Sequence, residues 1–227
     1  TGIAKRMQFT VKRDILLRSL NSVQGVVEKK NTLPILSNVL LQLKDGKLFV
    51  VATDLDIIFH NEISEVKIKK EGSTTTSAGI LYDILRKISS NSELHFDLKT
   101  ENKLSLKSDN SDFNLLCLPT DNFPTFSDEF DNAKISLNNK NFLKLLNKTK
   151  IAISNDDTRH YLNGIFLHLT EAHDRSFLTG VATDSHRLSS SSVEIENINN
   201  FLPLILPRKT VFQLCSLLTE SNENLTM

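Results

Sequence analysis

No excess of charge advertises a partner for this sequence. Its 27 Lys and Arg offset 27 Asp and Glu, so any nucleic-acid contact would have to come from a locally sorted face. It lacks an apolar run approaching the ~20 residues of a membrane span, and it lacks the basic, apolar and small-residue succession of a secretory leader. A cytoplasmic protein without membrane contact is expected. Glycine is scarce, and its seven copies are scattered, which leaves no loop able to cradle a phosphate. The two cysteines, Cys117 and Cys215, sit in LLCLP and FQLCSLL; such apolar settings predict buried free thiols. Six histidines fall at no zinc-ligand spacing, so neither a metal nor a cofactor is expected.

What is present is duplication. The 227 residues exceed the usual ~100 to 200 of one domain, and a 39% hydrophobic fraction argues for folded chain. VATD occurs at Val51 to Asp54 and again at Val181 to Asp184. Before it, LPILSNVLLQL matches RHYLNGIFLHL at an offset of 126, pairing Leu41 with Leu167 and Leu43 with Leu169. After it, the offset is near 130: Leu81 pairs with Val211, Ile84 with Leu214 and Ile88 with Leu218, a stripe marking one apolar helix side. The four-residue difference is expected in the turn, where KDGK predicts a tight hairpin through Asp45-Gly46 and EAHDRS predicts a longer loop. VKRDILLRSLNSV and NKNFLKLLNKTKIAI predict a helix after a short strand in each copy, QFTV and KISL.

The expected fold is α+β, with tandem domains that each carry two helices on one side of an antiparallel sheet. The first domain is expected over 7–120 and the second over 134–227. PTDNFPTFSDEFDN, with two prolines and a run of acids, supplies a linker over 121–133. ELHFDL, KLSLKS and SDFNLLCL complete the first copy, whereas the second stops at NLTM. The second copy is therefore expected to be incomplete, since strands without ladder partners leave backbone groups unpaired. TGIAKR precedes Met7 and is set aside, because MQFTVKRDIL resembles a natural start.

Catalysis finds little support. Asp184, Ser185 and His186 tempt as a triad, but consecutive residues on an extended segment point to opposite faces and cannot form the relay. A hydrolase built on His186 and a Ser remains the rival, as does a tandem-repeat interaction module without DNA. More informative are Lys140, Lys144 and Lys148, spaced to stack three ammonium groups on one helix face while Phe142, Leu145 and Leu146 turn inward. Lys12, Arg13, Arg18, Arg86, Lys87, Arg208 and Lys209 mark the polar sides of the other helices. A neutral chain that sorts cations onto helices offers a phosphate-facing surface of modest affinity. After the second VATD, SHRL sets donors beside apolar Leu188, a mixture suited to holding an extended peptide.

MQFTVKRDIL, TLPILSNVLL, VATDLD, RHYLNG, VATDSHRL and LPRKTVFQL, in this order from Met7 onward, resemble the bacterial sliding clamp, the beta subunit of DNA polymerase III. The resemblance implies DNA-clamp domains, of which this sequence carries the first and most of the second, with the third absent. It implies a non-catalytic processivity factor whose full-length form is a homodimeric ring around double-stranded DNA. Its partners would be the polymerase III alpha subunit, the clamp loader and other clamp-binding peptides. DNA-contact positions carried over are Lys30, where the family often has Arg, His160, where Tyr is common, Tyr161, Arg208 and Lys209; the lysine stripe would face the same hole. The partner-peptide pocket maps onto Leu162, Thr183, Asp184, Ser185, His186, Arg187 and Leu188. Ser185 stands where the family usually has Gly in TDGHR, which implies strain if that Gly serves a positive φ.

Overall fold

The computed structural model describes residues 6–29, 32–126, 135–196, 201–220 and 225–226. These form two compact units, Thr1–Phe126 and Ser127–Met227. Among the described residues no helix is long and apolar enough to cross a membrane.

The first unit begins with β1 (Gln8–Lys12) and α1 (Arg13–Val26), followed by the antiparallel strands β2 (Asn38–Lys44), β3 (Lys47–Thr53) and β4 (Ile58–Ile63). After β5 (Val66–Lys70), β6 (Gly72–Ser77) leads into α2 (Ala78–Lys87), and β7 (Glu93–Thr100), β8 (Lys103–Ser108) and β9 (Ser111–Leu118) follow. The sheet order is β4-β3-β2-β6-β9-β8-β7-β1-β5. Its two end strands are consecutive in the chain, separated only by Ser64 and Glu65, and Val66 N–H donates to Ser64 O at 2.9 Å across the kink. One bent segment thus supplies both edges of the order, and the sheet curls until they meet. β9 works similarly, pairing with β8 through Ser111 to Leu116 and with β6 through Cys117 and Leu118.

Alternation puts Phe9, Val11, Val39, Leu41, Val50, Leu94 and Leu104 into one core. Leu16, Leu20 and Val23 of α1 and Leu81 and Leu85 of α2 enter it from the helix side, as the i, i+4, i+7 spacing dictates. Ser77 caps α2, its Oγ accepting from Ile80 N–H at 3.3 Å. Arg13, expected on a solvent-facing cationic side, is instead structural. Its Nε donates to Leu85 O at 2.8 Å and its Nη1 to Asp14 at 2.8 Å, so it ties α1 to the end of α2. Lys12, Arg18, Arg86 and Lys87 are exposed.

The second unit repeats the plan with β10 (Ser136–Leu137), α3 (Asn139–Thr149), β11 (Gly164–Ala172), β12 (Arg175–Thr183), β13 (Leu188–Ile195), β14 (Leu204–Pro207), α4 (Arg208–Glu220) and β15 (Leu225–Thr226). Its sheet order β13-β12-β11-β14 copies β4-β3-β2-β6, and β10 pairs with β15 as β1 pairs with β7. The fold is α+β, with helices against antiparallel sheet. Leu40 pairs with Val51 and Phe166 with Val181, so each VATD valine faces the corresponding residue of the preceding strand. Both cysteines are buried free thiols, pushed up in pKa chiefly by burial.

The hairpins differ from expectation in an instructive way. Asp45 and Gly46 form the tight turn, with φ of 52° and 77°. EAHDRS, however, contains an equally tight turn at His173 and Asp174, with φ of 50° and 58°. His and Asp enter the left-handed region more readily than most side chains. The four extra residues lengthen the strands instead: β11 and β12 have nine residues each, β2 and β3 seven.

In the stretch expected as linker, Phe123 is buried on the first unit with Ile35, Leu36 and Val51, while 127–133 lie outside the described residues. Phe123→Ala should cost the first unit ~3 kcal/mol through the cavity it leaves. Urea unfolding would show this as a lower midpoint for the first unit with the second unit's transition in place; an unchanged midpoint would contradict the packing role.

Candidate functional site

Both copies of Thr-Asp end a strand in the same turn. In the first, Thr53 Oγ1 donates to Ile57 O at 2.7 Å, and Asp54 Oδ1 accepts from the N–H groups of Asp56 and Ile57 at 3.0 and 2.7 Å. In the second, Thr183 Oγ1 donates to Arg187 O at 2.7 Å, and Asp184 Oδ1 accepts from His186 and Arg187 N–H, both at 3.0 Å. The residue after the aspartate has positive φ in each: 81° at Leu55 and 78° at Ser185. A non-glycine residue there stores backbone strain.

This turn also revises the reason a triad fails. Asp184 to His186 are not extended; the Asp184 carboxylate is occupied by backbone N–H groups and by Arg187 Nε at 3.2 Å. Those donors, the backbone pair foremost, hold its carboxyl below the usual Asp value.

What differs between copies is the surface that the turn displays. Ser185, His186, Arg187 and Leu188 are all exposed, Leu188 at 66%. Arg159 connects them to RHYLNG: its Nη1 donates to Ser185 Oγ at 2.9 Å while its Nε donates to Asp156 at 2.8 Å. Asp156 is lowered in pKa, first by the Thr158 hydroxyl and backbone N–H and then by Arg159. Ser154 N–H donates to Leu162 O at 3.1 Å, closing the 154–162 loop and leaving Leu162 half-buried. Leu162 therefore sits on the loop that Arg159 ties to Ser185. The expected pocket residues line none of the three clefts described, which lie on the first unit's sheet and at the β11–β12 hairpin tip.

Most of the expected DNA-contact residues fall on the same unit. Asn138 caps α3, its Oδ1 accepting from Asn141 N–H at 3.2 Å. Phe142, Leu145 and Leu146 are buried, and Lys140, Lys144 and Lys148 are exposed. Among the described residues none of the three lysines takes part in an ion pair. His160 is exposed and Tyr161 is 69% exposed on a short 3-10 turn. Arg208 N–H donates to Asn163 O at 3.0 Å, which brings the start of α4 beside that turn. Gly164 permits this approach, because a Cβ there would stand 2.2 Å from Leu206 O. Arg208 and Lys150 both stack on Phe212, at 4.9 and 5.5 Å from the ring centre. Lys209 is half-buried, and Lys30 lies outside the described residues.

Sequence reasoning missed Arg159 as the bridge, since its partner is 26 positions away and no spacing rule connects them. Lys150 was missed because it departs from the i, i+4 stripe.

Comparisons with known proteins agree on one family. The model of the DNA polymerase III beta subunit N-terminal domain matches residues 7–127, and that of its central domain matches 136–227. The chain is 34% identical to the Beta sliding clamp of Caulobacter vibrioides over 97% of this chain and 60% of that protein. It is 35% identical to the one from Escherichia coli K12 over 93% and 57%. Among solved structures, a Caulobacter crescentus beta sliding clamp superposes with a TM-score of 0.92 at 34% identity, covering 99% of this chain and 60% of the other. A Bartonella birtlesii sliding clamp bound to griselimycin gives 0.91 at 36%, covering 97% and 59%. The chain thus spans about 60% of the length of the curated relatives it matches.

The depressed pKa of Asp184 carries a pH dependence. Its stabilisation of the turn is complete above the unfolded value of ~3.9 and is lost as pH falls through the lower folded value. Asp184→Ala should lower stability at neutral pH, and the gap from the parent should close below about pH 4. Carbon-detected NMR titration should place the Asp184 midpoint below that of an unperturbed Asp; a midpoint at or above it would remove the carboxylate from the turn's support.

Proposed function

We propose, on the premise that this chain belongs to the DNA polymerase III beta subunit family, that the protein is a non-catalytic processivity factor for DNA replication. At its relatives' length, two copies close head to tail into a ring around duplex DNA in the cytoplasm. The ring tethers the polymerase alpha subunit, the clamp loader and other proteins through short peptides. The observation that carries this reading is the divergence of two turns held alike: the second copy sets Ser185, His186, Arg187 and Leu188 on the surface, with Ser185 bonded to Arg159 of the loop that carries Leu162. An apolar side chain flanked by donors gives a peptide both affinity and register. Griselimycin bound to the Bartonella clamp supports a ligand-binding surface in this family.

DNA contact falls to Lys140, Lys144, Lys148, His160, Tyr161, Arg208 and Lys209, with Lys30. A small number of contacts suits a sliding ring: each phosphate neutralised steepens the salt dependence by about 0.9, so a neutral protein grips lightly while topology prevents escape. Tethering raises the effective concentration of polymerase at the primer end without any chemical step.

The full-length protein, loaded on DNA, should be retained on circles and lost when the circles are linearised; equal loss from both would refute encirclement. Replacing Lys140, Lys144 and Lys148 by Ala should reduce the salt slope of DNA binding by about 0.9 for each lysine that meets a phosphate, measured by fluorescence anisotropy. Leu188→Ala should weaken binding of clamp-binding peptides about ten-fold or more, as expected for an apolar anchor worth ~1.4 kcal/mol. A hydrolase would instead show turnover abolished in His186→Ala, and the present reading expects none in either protein.

A further inference from the structure

The duplication supplies a comparison for the bond between Arg159 and Ser185. Offsets of 126 and 130 make Leu33 the counterpart of Arg159 and Leu55 the counterpart of Ser185. Leu33 and Arg159 each sit one residue before a 3-10 turn, Pro34–Ser37 and His160–Leu162, and their carbonyls accept from Leu36 and Leu162 N–H at 3.1 and 2.9 Å. Leu55 and Ser185 share positive φ, and their N–H groups donate to Thr53 and Thr183 Oγ1 at 2.9 and 3.2 Å. The local frames are the same, but leucine side chains carry no donor or acceptor, so the first unit builds its frame without a polar bridge between these positions. The Arg159–Ser185 bond is an addition that the turn itself does not require.

What the bond secures is the loop that carries Leu162. Leu36, the counterpart of Leu162, is 2% exposed and packs with Val51 and Phe123, whereas Leu162 is only half-buried. Polar ties take over from burial in the second unit. Arg159 Nε donates to Asp156 Oδ2 at 2.8 Å and its Nη1 to Ser185 Oγ at 2.9 Å, and Asn163 Nδ2 donates to Asp157 Oδ1 at 2.9 Å. A guanidinium fork that holds two partners in fixed directions sets this loop against the turn that leads into Leu188.

We infer that Ser185 is a positioning residue for peptide capture that acts through Arg159. Its hydroxyl latches the 154–162 loop to the 183–188 turn, so Leu162 and Leu188 are held in a set geometry before a ligand arrives. A surface ordered in advance removes part of the entropy loss that binding would otherwise impose. The latch is kept against backbone strain, because a side chain at φ of 78° is disfavoured; glycine would relieve that strain and abolish the latch. The inference rests on the peptide-binding reading above and deepens it.

The test reads stability and ligand binding together in the full-length protein, with griselimycin, the ligand of the Bartonella clamp, as the probe. Ser185→Gly should leave Tm unchanged or higher, because relieved strain offsets the lost bond, yet bind griselimycin roughly five-fold more weakly. Ser185→Ala and Arg159→Lys should weaken binding to a similar extent, and the double variant should bind no more weakly than either single one, as expected for two groups that act as one pair. Ser185→Asn should restore most of the affinity, since Asn enters positive φ readily and its side-chain carbonyl can accept from Arg159. Equal or tighter binding by Ser185→Gly, or additive losses in the double variant, would overturn the latch while leaving peptide capture in place. Absence of griselimycin binding by the parent protein would instead remove the peptide reading, and the role of the latch with it.

Discussion

Strands need partners for their backbone N–H and C=O groups, and the first unit links its nine strands into one order by making single segments serve two places. The kinked β4–β5 segment supplies both ends of the nine-strand order, and β9 pairs with β8 along most of its length and with β6 at its end. With the strands ordered in this way, alternate residues of the sheet face one core, and the two helices can complete it only with their apolar sides. The exposed cations are a consequence of that geometry. Lys140, Lys144 and Lys148 face solvent because Phe142, Leu145 and Leu146 are required inside.

The strand-end turn shows how one scaffold hosts two outcomes. A threonine hydroxyl and an aspartate carboxylate hold the same carbonyl and the same pair of N–H groups in both units, so the turn survives wide change in the residues it displays. Both units place a non-glycine residue at positive φ directly after the aspartate. The strain at Ser185 is not a peculiarity of that residue, since Leu55 carries the same conformation. Ser185 adds a hydroxyl within reach of Arg159, a contact that glycine could not make. That bond joins the 154–162 loop to the turn, bringing together stretches separated in sequence by the whole β11–β12 hairpin.

Much of the fold was legible because it rests on periodicity. The repeat anchored on VATD, the helices carrying Leu81 and Val211, the free thiols and the Asp45-Gly46 turn all follow from local pattern and chemistry. The β11–β12 turn was misjudged because His173 and Asp174 carry a weaker turn signal than Asp-Gly, and spacing alone cannot distinguish longer strands from a longer loop. Phe123 looked like linker because prolines and acids surround it, although its ring is buried. Arg13 looked like a solvent cation, but its guanidinium found the open carbonyls at the end of α2. In each case the deciding partner is remote in sequence.

By itself the sequence determined that there are two copies of one α+β unit, which faces of the helices turn inward, and where the second copy departs from the first. These are properties of spacing and composition, and side chains within one turn or one strand enforce them. Only the tertiary structure decided that Arg159 ties RHYLNG to the second turn, that Asn163 anchors the start of α4, and that Phe123 packs with Ile35, Leu36 and Val51 on the first unit. Those relations depend on hydrogen bonds and burial across tens of residues, and such long-range contacts become definite only when the sheets bring distant strands into register.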